Sequence, residues 1–199
     1  MEISLVIPVY NEQKNVRDVV LSYIKEFKTI KNLEFEVIVV NDNSTDSTPE
    51  ILSELENISV INNETNSGYG FSLKKGINQS SYDLIMITDA DGSYTSYDAV
   101  RLINKFENHD MLVGSRTGAK VHIQMYRRPA KFFLNNFASF LSRQKVPDVN
   151  SGLRIFNKKS YDIYKHLLPD AFSFTSTITL SMINDGKNVD FIPINYLKR

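Results

Sequence analysis

The 199-residue sequence contains no cysteine and no tryptophan. Without thiols it forms neither disulfides nor thiolate metal sites, so its stability rests on packing, and the redox compartment stays open. Histidine is scarce: His109, His122 and His166 are scattered without ligand-like spacing and read as surface or satisfied side chains. No apolar run reaches the ~18–20 residues of a membrane-spanning helix. Met1 leads straight into Ile3-Ser4-Leu5-Val6-Ile7-Pro8 with no basic stretch or small-residue cleavage site, which reads as a strand rather than a signal peptide. Net charge is also lacking, since 23 basic residues balance 23 acidic ones.

What is present suits one soluble α/β domain: 42% hydrophobic and 23% charged residues in a length that can bury a sizeable core. The neutral total hides an asymmetry. Residues 1–110 hold 18 acidic and 9 basic side chains, whereas 111–147 hold 7 basic and no acidic ones. A basic segment of this kind suits an anionic partner. Nucleic acid is a poor candidate, because the patch is small and no nucleic-acid-binding motif accompanies it.

Apolar runs at 3–9, 35–40, 58–62, 84–88 and 111–114 read as strands. The spacing of Val16, Val19, Val20, Tyr23, Ile24 and Phe27 predicts a helix, and helices are predicted near 47–55, 71–79 and 99–106. Ser47 or Asp46 can cap the second of these. This alternation argues for a mostly parallel sheet with helices on both faces. The later part is less regular: helices are predicted over 129–141, 159–168 and 172–183, the last weakened by its Thr content, and strands over 149–156 and 189–196. The chain divides at about residue 115 within a single domain.

The fourth strand ends at Asp89-Ala90-Asp91, followed by Gly92. Ligands of open α/β sheets gather at the carboxyl ends of strands, and paired hard oxygens there suit a divalent cation carrying a diphosphate. The strands ending at Val9 and Val40 also exit into polar loops, which brings Glu12, Asp42, Asp89 and Asp91 toward one edge. Four carboxylates repel one another unless a cation or hydrogen-bond donors meet them. Asp42, at a strand end, reads as a ligand contact. Asp46 reads as a helix cap.

Ser4 to Glu12, Val37 to Asp46, Asn66-Ser67-Gly68-Tyr69-Gly70 and Asp89-Ala90-Asp91-Gly92, in this order and spacing, resemble the family 2 glycosyltransferases of the Rossmann-like GT-A fold. Val113 to Arg116, Asp148 to Arg154 and Ile192 to Arg199 resemble the dolichyl- and polyprenyl-phosphate sugar transferase branch. The resemblance implies that Pro8, Tyr10 and Glu12 line a base pocket, that Asp42 binds the base or ribose, and that Asn66 and Gly68 form the wall beside the nucleotide sugar. It places Asp89, Ala90 and Asp91 against the donor, with Asp91 the direct ligand of Mg2+ or Mn2+. Arg116 and Arg154 would meet phosphates, Ser151 would hold an acceptor phosphate, and Arg199 would sit near the donor diphosphate. A closing segment is expected beyond Arg199, so a truncated C-terminus is expected, and the family implies residence at the cytoplasmic face of a membrane.

Many family members carry a carboxylate as general base in the region that reads Phe172-Ser173-Phe174-Thr175-Ser176-Thr177-Ile178-Thr179 here. A sugar hydroxyl needs a base to attack, whereas a phosphate monoester, with a second pKa of about 6, is already ionised. The missing carboxylate favours a polyprenyl phosphate acceptor, although Asp148 stays a candidate base. The basic residues Lys120, Arg127, Arg128, Lys131, Arg143 and Lys145 flank a Phe-rich helix that either lies on an anionic membrane surface or faces the core. Two other readings stand beside this one: transfer to a saccharide hydroxyl, with Asp148 as base, and a nucleotide-sugar-binding module without turnover. A nucleotidyltransferase ranks last, because no Gly-rich basic loop follows the first strand.

Overall fold

The computed structural model describes residues 1–119, 121 and 128–198. Seven strands form one sheet in the order β3-β2-β1-β4-β6-β5-β7. The first four are β1 (Glu2–Val9), β2 (Glu34–Asn41), β3 (Ser59–Asn62) and β4 (Leu84–Ile87), all parallel to their neighbours within that group. β5 (Met111–Ser115) pairs in parallel with β7 (Val189–Pro193), and β6 (Arg154–Asn157) is inserted antiparallel between β4 and β5. The sheet is therefore mostly parallel, as the alternation of elements implies.

Both faces of the sheet are covered, and the period of two along each strand shows how. On one face Ile3, Leu5, Ile7, Val37, Val39 and Met86 pack against α1 (Val16–Phe27), α2 (Thr48–Ser53) and α4 (Ser96–Lys105). On the other, Val6, Ile38, Val40, Ile85 and Ile87 pack against α3 (Tyr69–Gln79), α6 (Lys158–Tyr164) and α7 (Phe174–Asn184). Strands buried on both sides carry unbroken apolar runs, as the sequence does here. A third, smaller cluster joins Ala138 of α5 (Arg128–Ser142) to Val146, Val149 and Ile183.

Several boundaries differ from expectation for identifiable reasons. α4 starts three residues early because the Thr95 hydroxyl accepts the Asp98 N–H at 3.1 Å and donates to the Asp98 carboxylate at 2.8 Å, a reciprocal cap that the Thr-x-x-Asp spacing signals. Asp98, fully buried, also holds Arg101 and the Asn195 N–H, tying α4 to the chain that follows β7. The strand expected over 149–156 begins only at Arg154. Val149 to Leu153 is a loop, pinned by Ser151 donating to the Gly114 carbonyl at 2.5 Å and by the Gly152 N–H donating to the Tyr94 hydroxyl at 2.6 Å. At the start of α2, Asp46 rather than Ser47 supplies the cap, accepting the Thr48 N–H at 3.0 Å.

Candidate active site

The carboxyl ends of β1, β2 and β4 and the loop after β5 surround a cavity of about 480 Å3. Ten of the sequence-selected residues line it: Pro8, Tyr10 and Glu12 after β1, Asp42 after β2, Asn66 and Gly68 before α3, Asp89, Ala90 and Asp91 after β4, and Arg116 after β5. Parallel strands bring these dispersed positions to one edge.

The loops that carry them are cross-tied. The Asn11 N–H donates to the Ser44 hydroxyl at 3.0 Å, the Thr45 N–H to the Asn11 side chain at 2.8 Å, and the Glu12 N–H to the Thr48 hydroxyl at 2.9 Å. Asn11 and Asn43 take left-handed backbone conformations, with φ of 55° and 59°, which asparagine tolerates in such turns. Asp42 is 4% exposed, and its carboxylate accepts three donors: Asn63 Nδ2 at 2.7 Å, Ser67 N–H at 2.9 Å and Gly68 N–H at 2.8 Å. It therefore shapes the 66–68 wall and lines the cavity at once.

Asp89 and Asp91 face the same cavity. Asp91 is 3% exposed, and one of its oxygens accepts both the Ser93 N–H at 2.9 Å and the Ser93 hydroxyl at 2.5 Å. Asp89 lies against Gly152, where a β-carbon would come within 2.6 Å of a carboxylate oxygen. Only glycine leaves room for this carboxylate. No group of three or more His, Cys, Asp or Glu suited to a metal exists among the described residues. Two hard carboxylates without a full protein cage are nevertheless what Mg2+ or Mn2+ uses when substrate phosphates and water complete its shell, so the donor set fits such an ion.

Two expected contacts, Arg154 and Ser151, do not line the cavity. Arg154 is fully buried. Its guanidinium donates to the Thr175 carbonyl at 2.7 Å, to the Thr179 hydroxyl at 2.7 Å and to the Ser151 carbonyl, and its Nε has no partner. Burial lowers its pKa to about 10, with the nearby Tyr69, Tyr94 and carboxylates acting in the opposite direction. Arg154 therefore braces β6 against α7 rather than facing phosphate. Ser151, also fully buried, spends its hydroxyl on the Gly114 carbonyl. Arg199 lies outside the described residues, as do Lys120 and Arg127.

Asp148 is fully buried too. Arg116 grips both of its oxygens, Nε on Oδ2 at 2.8 Å and an Nη on Oδ1 at 2.9 Å, while the Arg116 N–H adds a third bond at 2.9 Å. Burial alone would lower the Arg116 pKa, but the Asp148 carboxylate more than offsets this and holds it above the ordinary value. The Arg116 guanidinium also lies 5.2 Å from the Tyr196 ring centre. Its charge is thus already partnered before any phosphate arrives.

The cavity has further walls that the sequence did not single out as site residues: Tyr69, Tyr94, Asn150, Phe172, Thr175 and Tyr196. Tyr69 and Tyr94 read from sequence as packing or lid residues. Tyr94 does pack, edge-on to Tyr196 with ring centres 5.2 Å apart, and burial raises its pKa, so its hydroxyl stays protonated. Asn150 and Thr175 come together only through tertiary folding, with the Thr175 hydroxyl donating to Asn150 Oδ1 at 2.6 Å.

The model of glycosyl transferase family 2 matches residues 4–164. Dolichyl-phosphate beta-glucosyltransferase ALG5A of Trichomonas vaginalis is 27% identical over an alignment covering 79% of this chain and 54% of that protein. Undecaprenyl-phosphate 4-deoxy-4-formamido-L-arabinose transferase of Proteus mirabilis is 29% identical, covering 81% of this chain and 50% of its own length. The chain thus spans about half the length of these two relatives. The solved structure of glucosyl-3-phosphoglycerate synthase from Mycobacterium tuberculosis, in complex with Mn2+, uridine diphosphate and phosphoglyceric acid, superposes with a TM-score of 0.75. It is 15% identical and covers all of this chain and 70% of that one.

Proposed function

The chain belongs to glycosyl transferase family 2, and we propose that it moves a sugar, with inversion, from a nucleoside diphosphate sugar to a polyprenyl phosphate, using Mg2+ or Mn2+. Pro8, Tyr10, Glu12 and Asp42 would hold the nucleoside, and Asn66, Gly68 and Ala90 the wall beside the sugar. Asp89 and Asp91 would hold the cation, which when bound neutralises the departing diphosphate. The acceptor oxygen would attack the anomeric carbon as the bond to the diphosphate breaks. The role of the chain is then to align the two and exclude water.

The observation that carries the acceptor assignment is the lack of an available base. The acidic residues lining the cavity, among those described, are Glu12, Asp42, Asp89 and Asp91, all on the donor side. Asp148 is sealed beneath Arg116. The stretch 116–147 contains no Asp or Glu at all. A phosphate acceptor brings its own negative charge and needs no proton removed. This weighs against a saccharide hydroxyl, and the relatives named for dolichyl and undecaprenyl phosphates agree with it.

Helix α5 supports delivery of such an acceptor from a lipid surface. The sequence leaves two roles for its apolar stripe, and the exposure of the described aromatic residues favours the surface one. Phe133, Phe137 and Phe140 are 71%, 60% and 79% exposed, with Leu134 and Leu141 beside them. The opposite side packs inward through Ala138, and through Asn135 and Ser139, which bond the Pro147 carbonyl and the Val146 N–H. An outward apolar face in the basic stretch 120–145 suits an anionic bilayer surface. No helix among the described residues is long and apolar enough to cross a membrane.

The test is transfer itself. The protein is incubated with UDP- and GDP-sugars, Mn2+ and a short-chain polyprenyl phosphate, and the lipid product is weighed by mass spectrometry. A sugar phosphate lipid that needs metal and is absent with D91A is expected. Metal-dependent binding of nucleotide without transfer to any acceptor would leave a nucleotide-sugar-binding module instead.

A further inference from the structure

Tyr69 is the first residue of α3, and its hydroxyl donates to Asp89 Oδ1 at 2.9 Å. Its ring stacks on Phe172, with centres 5.3 Å apart and planes 20° from parallel. Phe172 sits at the cavity wall and is 76% exposed. The segment that carries Phe172 is fastened to the front of α3. The Phe71 N–H donates to the Asp170 carbonyl at 3.1 Å, and the Lys74 ammonium pairs with the Asp170 carboxylate at 2.7 Å. The backbone from Pro169 to Ala171 also lies against Gly70, leaving no space for a β-carbon there. Gly152 also lies against Asp89, where a β-carbon would come within 2.6 and 2.7 Å of the two carboxylate oxygens.

We propose that Tyr69 is a positioning residue for the cation site: its hydroxyl fixes the Asp89 carboxylate in the orientation a divalent cation on the donor diphosphate requires, and Phe172 fixes the Tyr69 ring. The inference rests on the donor-site reading above. A carboxylate that accepts the Tyr69 hydroxyl and lies against the Gly152 backbone has little rotational freedom left. Partners that orient a metal-binding side chain typically contribute 10–100-fold in metal affinity, roughly as much as preorganisation of that carboxylate would give. Phe172 acts one step further back, by holding the ring that carries the hydroxyl.

The test is a thermal-shift titration of the full chain with Mn2+ at fixed UDP or GDP, in the wild type, Y69F and F172A. Y69F keeps the ring and its stack and removes only the hydroxyl. The expected result is a rise of about 10–100-fold in the Mn2+ concentration giving half the nucleotide-dependent shift, with the ligand-free midpoint and the metal-free nucleotide shift unchanged. F172A, made at an exposed position, should move the Mn2+ requirement in the same direction by less. A Y69F protein with the wild-type requirement overturns the inference. So does one whose requirement rises only together with a lower ligand-free midpoint, because that is the mark of packing alone. If the wild type shows no metal-dependent shift with either nucleotide, the donor-site reading falls and takes this inference with it. A normal wild-type shift beside an unaltered Y69F removes the inference alone.

Discussion

Residues 1–115 and 116–199 line the same cavity but are built on different terms. In the first stretch β1, β2 and β4 end at the cavity edge, and a polar residue that follows each of them faces in: Glu12, Asp42, Asp89. Position along the chain and position in the site coincide there. In the second stretch β6 runs antiparallel, so its amino end meets the same edge, with Arg154 paired beside Ile87; Asn150 and Gly152 line the cavity there, while the neighbouring Asp148, Ser151 and Arg154 are buried. Ser151 and Arg154 brace loops, and Asp148 serves Arg116. The difference teaches that a place at the cavity edge does not by itself make a polar residue a ligand contact: Ser151 and Arg154 lie near it and serve as struts.

The sharpest way to break that contrast is to remove a donor-side carboxylate. D91A should lower transfer by on the order of 10^3-fold, since a bound cation supplies several kcal/mol to a leaving diphosphate. It should also abolish metal-dependent nucleotide binding, with the fold retained by circular dichroism. Arg154 tests the other half. R154M removes a donor from the Thr179 hydroxyl and the Ser151 carbonyl, while the Thr175 carbonyl keeps the Thr179 hydroxyl, and unmet buried groups cost about 1–3 kcal/mol each. A loss on the order of 3 kcal/mol in urea unfolding is expected, with nucleotide affinity unchanged in the protein that remains folded. An R154M protein of wild-type stability and a raised acceptor KM would make Arg154 a phosphate contact after all. Next, F137S with F140S should weaken binding to anionic vesicles by about 10-fold or more, because each inserted Phe contributes roughly 1.5–3 kcal/mol. Transfer to a water-soluble acceptor should not change.

The smallest expected effect concerns Asp46, a loop tie within the first stretch. Burial raises its carboxyl pKa, but the hydrogen bonds from Thr48 and Gln13 more than offset that, leaving it below the ordinary value. A carboxyl depressed in the folded state adds stability above its unfolded pKa of about 3.9, and that stability is lost as pH falls through the folded value. D46N should therefore lower the melting midpoint slightly at pH 7, and the difference from wild type should vanish at strongly acid pH. A difference that persists there would assign the effect to packing.

Much of this contrast was legible in the sequence, and the limits have physical causes. The apolar runs of β1, β2 and β4 are visible because strands buried on both faces need unbroken apolar sequence. The cavity residues after them follow from the parallel arrangement. The helical period of α5 was equally plain, yet the period is the same whichever way the stripe points, so only packing shows that Phe137 and Phe140 face outward. Arg154 looked like a phosphate ligand by its place in a motif. Its real partners lie at a different distance in the sequence, in Thr175 and Thr179, one turn apart on α7, a helix whose Thr content weakens its sequence signal. Tyr69 reaches Asp89 across 20 residues of sequence, and local pattern carries no trace of such a contact.

On the reading proposed above, the acceptor supplies its own charge because no acidic residue beyond the donor-side four lines the cavity among the described residues. The most direct measurement compares transfer to a polyprenyl phosphate and to the corresponding polyprenol across pH 5 to 9, with donor and Mn2+ saturating. The account predicts product from the phosphate alone, with a rate that follows the acceptor's second ionisation near pH 6 and is level above it. Transfer to the alcohol, or to a saccharide hydroxyl, at a comparable rate would contradict it.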